Sequence, residues 1–407
     1  MAILYDAIDV QVHAAFGVLP NVFPTSGQWV SIGADAESVT TVSNGRSDPW
    51  SGFTTGTATI VLDNQSRAYD NLYVSGPYYG LVRQDTWVRV QVVVGVGTEI
   101  IFLGLVDEWR AEYQGVSGAM CTVTCSDVMA RTGQAFADMS AIAGTEMQTV
   151  QVLIYALQQV NAPLIQSYVP GAQYYCRSMI APASGSLMGI AQACETVEQG
   201  RLFTLSPTSG NGALQLLTST DLFAGTGWGS ASPLQFGDGP AEDAPQDPYN
   251  ATSGAQDVRT SVTCNGYRSS VVSPVSSLRE QTIDAPWAHT EDARSIANWQ
   301  VQQWGVPRPR YDRVTLRPRF VTYMTPLVVA GLSSRLTQRV VVNKRPLNGA
   351  VISLTQMVEQ VMHTFTAIDW VTTLALSPAP NASLSSGKAY GVLDSWPLDS
   401  TTFVLSP

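Results

Sequence analysis

Apolar and polar residues alternate along several stretches of the first third of the chain. Thr55, Thr57 and Thr59 alternate with Ala58, Ile60 and Leu62. That period of two sets one face of a strand against water and the other against a core. Asp63-Asn64 supplies turn chemistry that ends the run. Val88, Val90, Val92 and Val94 alternate with Trp87, Arg89 and Gln91, and the run stops at Gly95-Val96-Gly97. The pattern predicts a hairpin continuing into residues 99–106. Cys121, Val123 and Cys125 alternate with Thr122 and Thr124, placing both thiols on an inner face. Together these runs predict antiparallel β structure, a small barrel or sandwich.

The character changes after Ser126-Asp127. Val150, Leu153, Ile154, Leu157 and Val160 recur at helical offsets up to Asn161-Ala162-Pro163, and Leu187, Ile190, Ala191, Cys194 and Val197 repeat them up to Gly200. Two amphipathic helices follow, with Cys194 at a core position. Residues 201–205 and 213–218 flank a Ser-Pro-Thr-Ser-Gly-Asn-Gly turn, which predicts a hairpin under the helices. From 230 to 256 the chain holds four prolines with Asp238, Glu242, Asp243 and Asp247 and shows no periodicity. An extended acidic connector on a surface is the expectation there.

Strands resume near 260–265. A third helix is predicted after Thr290, which can cap its amides while Glu291 and Asp292 favour the positive helix start. Ala293, Ile296, Ala297 and Trp304 form its apolar stripe, and Gly305 to Pro307 stops it. Residues 335–376 return to β, with 364–378 read as one long final strand. No solenoid-type repeat is present. The expected fold class is mainly β with an α+β middle domain. The expected divisions are 1–127, an N-terminal barrel-like β domain; 128–229, the α+β middle domain; 230–258, the acidic Pro-rich connector; 259–330, an α+β segment with the third helix; and 331–407, a C-terminal β segment completing a second barrel-like domain.

Composition narrows the function classes. At 407 residues the chain can bury more than one core. Only 13% of residues are charged, against about a quarter in typical soluble domains, which suggests that neighbours cover much of its surface. A net charge of −10 argues against stable nucleic-acid binding, because phosphate contact relies on clustered Lys and Arg. Of 22 basic residues only Lys344 and Lys388 are lysine, as in a GC-rich genome. No basic, apolar leader opens the sequence, and no apolar run approaches the roughly 18 residues of a membrane span. The expectation is a protein made in a cytosol. Its five scattered cysteines fit that compartment. Cys121 and Cys125 would lie about 13 Å apart along one strand, beyond the roughly 7 Å that a disulfide allows.

Catalytic chemistry has few candidates. Only His13, His289 and His363 are available, and no Gly-x-Ser-x-Gly elbow, His-Glu-x-x-His helix or phosphate loop occurs. His289 precedes a helix start and is expected to be exposed or capping. His363 is expected to face outward from a strand. Glu195 and Glu198 are three apart on the second helix, a spacing that could serve glycoside hydrolysis. Nothing aromatic or polar nearby in sequence builds a sugar cleft, so solvated helix-surface charge is the expectation. Gly225-Thr-Gly227-Trp-Gly229 lacks a following helix to hold an anion and reads as a turn. Arg308, Arg310, Arg313, Arg317 and Arg319 form the one notable charge cluster, either a solvated or salt-bridged strand face or a subunit contact. On a strand, Arg313, Arg317 and Arg319 share a face, and Asp238, Glu242, Asp243 and Asp247 offer an acidic surface for it to meet. No catalytic residue, metal or cofactor is expected.

In their order, the stretch 55–109 with Gly76-Pro77-Tyr78-Tyr79 and Phe102-Leu-Gly-Leu-Val-Asp-Glu-Trp109 resembles the N-terminal hub module of minor tail proteins from long-tailed, siphovirus-type actinobacteriophages. Glu198-Gln-Gly-Arg-Leu-Phe203 after its helix is similar to that family's middle domain. Residues 293–310 are similar to its third helix, and Asp369-Trp-Val-Thr-Thr-Leu-Ala-Leu376 to its last strand. Residues 268–283, rich in Ser and Val, depart from the pattern and leave the domain register there open. The resemblance implies a tail-tip or baseplate hub: a homotrimeric ring closing the tail tube beneath a distal tail protein. Such a ring would meet the tape measure protein and other minor tail or fibre proteins, and open for tape measure and DNA. It implies a virion tail-tip location after assembly in the host cytoplasm. The competing reading is a carbohydrate-binding tail component for host cell-wall recognition, since ten tryptophans and fifteen tyrosines suit sugar faces as well as cores and interfaces.

Overall fold

The computed structural model describes residues 4–5, 8–47, 52–114, 118–160, 165–167, 177–205, 212–217, 233–243, 245, 251–252, 258–270, 279–285, 287–305, 308–322, 324–346 and 349–379. Thirteen strands join in one large mixed sheet. Along Thr57–Asp63 the period-two pattern is realised: Ala58, Ile60 and Leu62 are buried while Thr57 and Thr59 are exposed. Trp87–Val94 turns at its expected hairpin, Val94 opposite Gly97, into the 18-residue strand Gly97–Gln114. Trp87 is also fully buried. It packs with Leu103 and Leu105 in a second core, so the sheet is covered on both faces here.

From one edge the sheet runs through Ile8–Ala15, Trp87–Val94, Gly97–Gln114, Gly118–Asp127, Thr57–Asp63 and Ala36–Val42, and then crosses directly to Ile352–Thr366. The crossing pairs Val42 with Met362 and Val39 with Phe365, antiparallel. One edge of Ile352–Thr366 carries Arg339–Lys344 and then Ala36–Val42, and its other edge carries Trp370–Pro378. Strands of the first and last thirds therefore share one hydrogen-bond ladder. Val10 and Val12 near one end of the order share a buried cluster with Val39, Phe365 and Trp370 near the crossing. The Val30–Ser31 strand, which leads into Ala36–Val42, pairs back onto His13–Ala14, so the two ends of this run of strands approach each other in a barrel-like curl.

The three expected helices are present as Thr149–Val160, Leu187–Glu198 and Thr290–Trp304. Leu187, Ile190, Ala191, Cys194 and Val197 are buried, as the offsets predict. These helices pack over the second core, which also takes Leu202, Phe203, Ile296 and Val358. The Arg201–Leu205 and Gly212–Leu217 strands pair antiparallel beside them. Among the described residues no helix is long and apolar enough to cross a membrane.

Four local expectations are corrected. His289, not Thr290, occupies the third helix's cap, its Nδ1 accepting from the Glu291 amide at 3.4 Å. The final strand is interrupted: Thr366 closes one strand and Trp370 opens the next, because the Thr366 amide donates to the Asp369 carbonyl at 2.9 Å and Asp369 returns a bond to Thr366 Oγ1 at 3.1 Å. His363 is fully buried, because it projects from the same face of its strand as buried Val361 and Phe365, while Met362 between them faces outward. The segment expected as a surface connector contributes the strand Leu234–Gly237, parallel to Arg339–Lys344 and with Phe236 fully buried.

Candidate functional site

The densest polar construction lies where the three parts of the chain meet. After Val42 the chain turns inward through Gly45, whose φ of +126° suits glycine, and an added Cβ would stand 2.3 Å from the Glu359 carbonyl oxygen. Only glycine fits that close approach. Gly45 thereby delivers Arg46, whose amide donates to the same carbonyl at 3.2 Å. The Arg46 guanidinium pairs with Glu195 at 2.9 Å. Glu195 also accepts from the Leu202 amide at 2.9 Å and the Phe53 amide at 3.4 Å.

At the C-terminus of the Leu187–Glu198 helix, Gln199 takes a left-handed φ of 53° and turns the chain into Arg201. Arg201 grips Glu359 bidentately at 2.7 and 2.8 Å, and Ser377 donates to Glu359 at 2.6 Å. Glu195 and Glu359 are 2% and 3% exposed. Burial opposes ionisation of Glu359, but the charges of Arg201 and Arg46 outweigh it and hold its carboxyl below the usual range. Residues from the first, middle and last thirds are thus tied by two charge pairs shielded from water.

Against these pairs lies a cleft of about 400 Å³, to which Gln192, Thr196, Thr282, Trp299 and Gln300 contribute with Glu195. Glu198 faces elsewhere, accepting from Thr149 Oγ1 and from the Arg177 amide at 2.7 Å. Burial pushes its carboxyl up to about 7, with Thr149 and Arg177 opposing. The expectation of solvated helix-surface charge is therefore overturned for both carboxylates. Their partners come from residues distant in sequence, which local pattern cannot reveal. They do not form an acid–base pair across one cavity, since Glu195 alone of the two lines the cleft. Among the described residues, no group of three or more His, Cys, Asp or Glu side chains could hold a metal.

The arginine segment is arranged differently from one strand face. Its strand, Arg313–Leu316, ends before Arg317, and Arg319 sits in the short 3-10 turn Pro318–Phe320. Pro318 lacks the N–H that a continued ladder needs. Arg308 donates to the Ala379 carbonyl at 2.7 Å, Arg310 pairs with Asp312 at 2.6 Å, and Arg317 with Asp369 at 3.3 Å. Arg319 donates to the Ile368 carbonyl at 3.3 Å, and Arg313 is exposed. Phe320 and Ile368 are exposed beside them, at 62% and 79%.

The acidic residues meet other partners within the chain. Glu242 pairs with Arg345 at 2.5 Å, which holds its carboxyl down at about 2, while Asp238 meets Arg345 at 3.2 Å and Lys344 at 3.5 Å. Asp243, 5% exposed, accepts from the Thr322 and Met324 amides. Asp247, the glycine turn 225–229 and Cys176 lie outside the described residues. Cys121, Cys125, Cys194 and Cys264 are buried free thiols.

His363 joins a buried polar chain, its Nε2 2.8 Å from Ser333 Oγ and its Nδ1 2.9 Å from Thr372 Oγ1. Burial pushes its pKa down to about 3. Such a residue packs; it does not exchange protons near neutrality.

No protein-family model matches the chain, and no curated protein matches it in sequence. Solved structures match it in fold. The tail protein from Neisseria meningitidis MC58 aligns with a TM-score of 0.59 at 10% identity, covering 91% of this chain and 96% of that one. The 43 kDa tail protein of prophage MuSo2 from Shewanella oneidensis gives 0.53 at 11% identity, over 91% and 96%. Prophage tail protein gp18 from Listeria monocytogenes EGD-e gives 0.51 at 8% identity, over 94% and 98%. At these identities the likeness is one of fold, and it extends over nearly the whole of each chain. The mainly β class with its helical middle is thus the fold of known phage tail proteins.

Proposed function

We propose that this chain is a structural component of a phage tail tip: a homotrimeric hub ring that closes the end of the tail tube and joins a distal tail protein to downstream tip or fibre proteins. The observation that carries the reading is the end-to-end fold match to phage tail proteins, 91% of this chain against 96% of the Neisseria protein. One ladder linking first and last thirds, locked by buried charge pairs, supplies the rigid body that a ring needs. Tape measure protein and DNA would pass when the ring opens. The chain would act without catalysis, in the tail of a long-tailed actinobacteriophage, as the sequence resemblance implies. Arg313, Arg317 and Arg319, with exposed Phe320 and Ile368, supply a basic and apolar contact for an acidic surface on a neighbouring protomer or tail partner. Immunogold labelling of virions tests the reading. Gold at the distal end of the tail supports it, and gold on the head or along the tube overturns it.

A further inference from the structure

We propose that the cleft beside the Arg46–Glu195 pair is a binding site for a neutral saccharide. Its size, about 400 Å³, falls in the range of roughly 300–1,000 Å³ that holds small ligands. The two charge pairs at its base each sum to zero, Arg46 with Glu195 and Arg201 with Glu359, so a charged ligand would find no uncompensated partner. The side chains above them are of the kind that reads hydroxyl groups. Gln192 donates its Nε2 to the Phe53 carbonyl and Gln281 accepts from Arg259 at its Oε1, which leaves the Gln192 oxygen as an acceptor and the Gln281 nitrogen as a donor, while Thr282 adds a hydroxyl and Trp299 an aromatic ring.

Neighbouring hydroxyls on a sugar ring present paired donors and acceptors that an amide matches, and an indole covers the ring's C–H face. Gln300 donates its Nε2 to Gln199, while its buried Oε1 has no hydrogen-bond partner among the described residues. That oxygen is closed off from solvent, so a ligand's hydroxyls would meet the Gln192, Gln281 and Thr282 side chains instead. The elements are independent of one another: the Leu187–Glu198 helix brings Gln192, the Thr290–Trp304 helix brings Trp299 and Gln300, and the Glu280–Ile283 strand brings Thr282. Sugar binding tests the cleft and particle symmetry tests the ring, so either proposal can fail alone.

Saturation-transfer NMR on the purified full chain with maltotriose, chitotriose and galactobiose tests the proposal, with a heparin disaccharide as the anionic control. At least one neutral sugar is expected to bind with a Kd on the order of 1 mM, and the control to show no transfer. Trp299→Ala and Thr282→Val should each weaken that sugar about tenfold, a loss of roughly 1.4 kcal/mol. Thr282→Val keeps the strand's shape, so it reads the site even where the tryptophan variant fails to fold. No transfer from any neutral sugar up to about 10 mM, ten times the expected Kd, overturns the proposal. Binding unchanged in Thr282→Val, or equal binding of the anionic control, overturns it as well.

Discussion

Replacing Arg201 by methionine would strand the Glu359 carboxylate, which is 3% exposed and keeps only Ser377 at 2.6 Å as a direct side-chain partner. Breaking a buried pair from one side costs about 3–5 kcal/mol. Protonation caps that cost, because neutralising a carboxyl of ordinary pKa near 4.3 takes about 1.4 kcal/mol per pH unit, or about 3.7 kcal/mol at pH 7. The expected loss is therefore about 3–4 kcal/mol at pH 7. At pH 5 the same arithmetic leaves about 1 kcal/mol.

In the parent the sign is opposite. The folded pKa of Glu359 is depressed, so its stabilisation is present above the unfolded pKa and lost as pH falls through the folded value. Urea unfolding of parent and variant at both pH values, read as midpoint shifts at constant m, measures the difference. The double variant Arg201→Met with Glu359→Leu should recover to within about 1 kcal/mol of the parent, since apolar replacement of a whole buried pair is near neutral or better. A penalty below about 1 kcal/mol at pH 7, or an equal penalty at both pH values, would refute the reasoning.

Four further outcomes are expected. Gly45→Ala, which forces a Cβ to 2.3 Å from the Glu359 carbonyl at φ +126°, should cost about 2 kcal/mol or more by denaturant titration; a neutral result would contradict the close approach. The folded pKa of Glu198 is raised to about 7, so its share of stability is full below the unfolded pKa and lost as pH rises through about 7. Glu198→Gln should flatten the stability curve between pH 4.5 and 7 by about 2–4 kcal/mol, and unaltered pH dependence counts against this. Cys121, Cys125, Cys194 and Cys264 are buried, with burial pushing Cys121 up to about 12 and Cys264 up to about 11. Alkylation mapped by mass spectrometry should label none of these four before denaturation. Changing Arg313, Arg317 and Arg319 together to Gln should weaken assembly more at low salt than at high salt, and salt-independent, parent-like assembly would reduce the segment to solvated surface.

The elements were largely legible in the sequence because their signals are local. Alternation placed Ala58, Ile60 and Leu62 inward, Gly95 to Gly97 marked the hairpin, and the 3.6-residue offsets located Leu187–Glu198 with Cys194 in the core. What escaped depends on pairing across the chain. Glu195 finds Arg46 at a separation of 149 residues, and Arg201 finds Glu359 at 158. No window of sequence distinguishes such a helix glutamate from a solvated one. His363 shares its buried strand face with Val361 and Phe365, so the alternation there already points it inward, and what the sequence hides is the pair of distant hydroxyls, Ser333 and Thr372, that satisfy a buried imidazole. The missed turn at Thr366 to Asp369 lacks glycine and proline and is closed by a threonine hydroxyl and backbone bonds. The cleft is assembled from Arg46, Thr282 and two helices, so the sequence held its residues without their adjacency.

Electron micrographs of the purified chain, sorted into class averages, test the hub proposal most directly. Three-fold rings with an open or closed centre are the predicted result. Uniform single particles of one chain's size, persisting at high protein concentration and low salt, would contradict it.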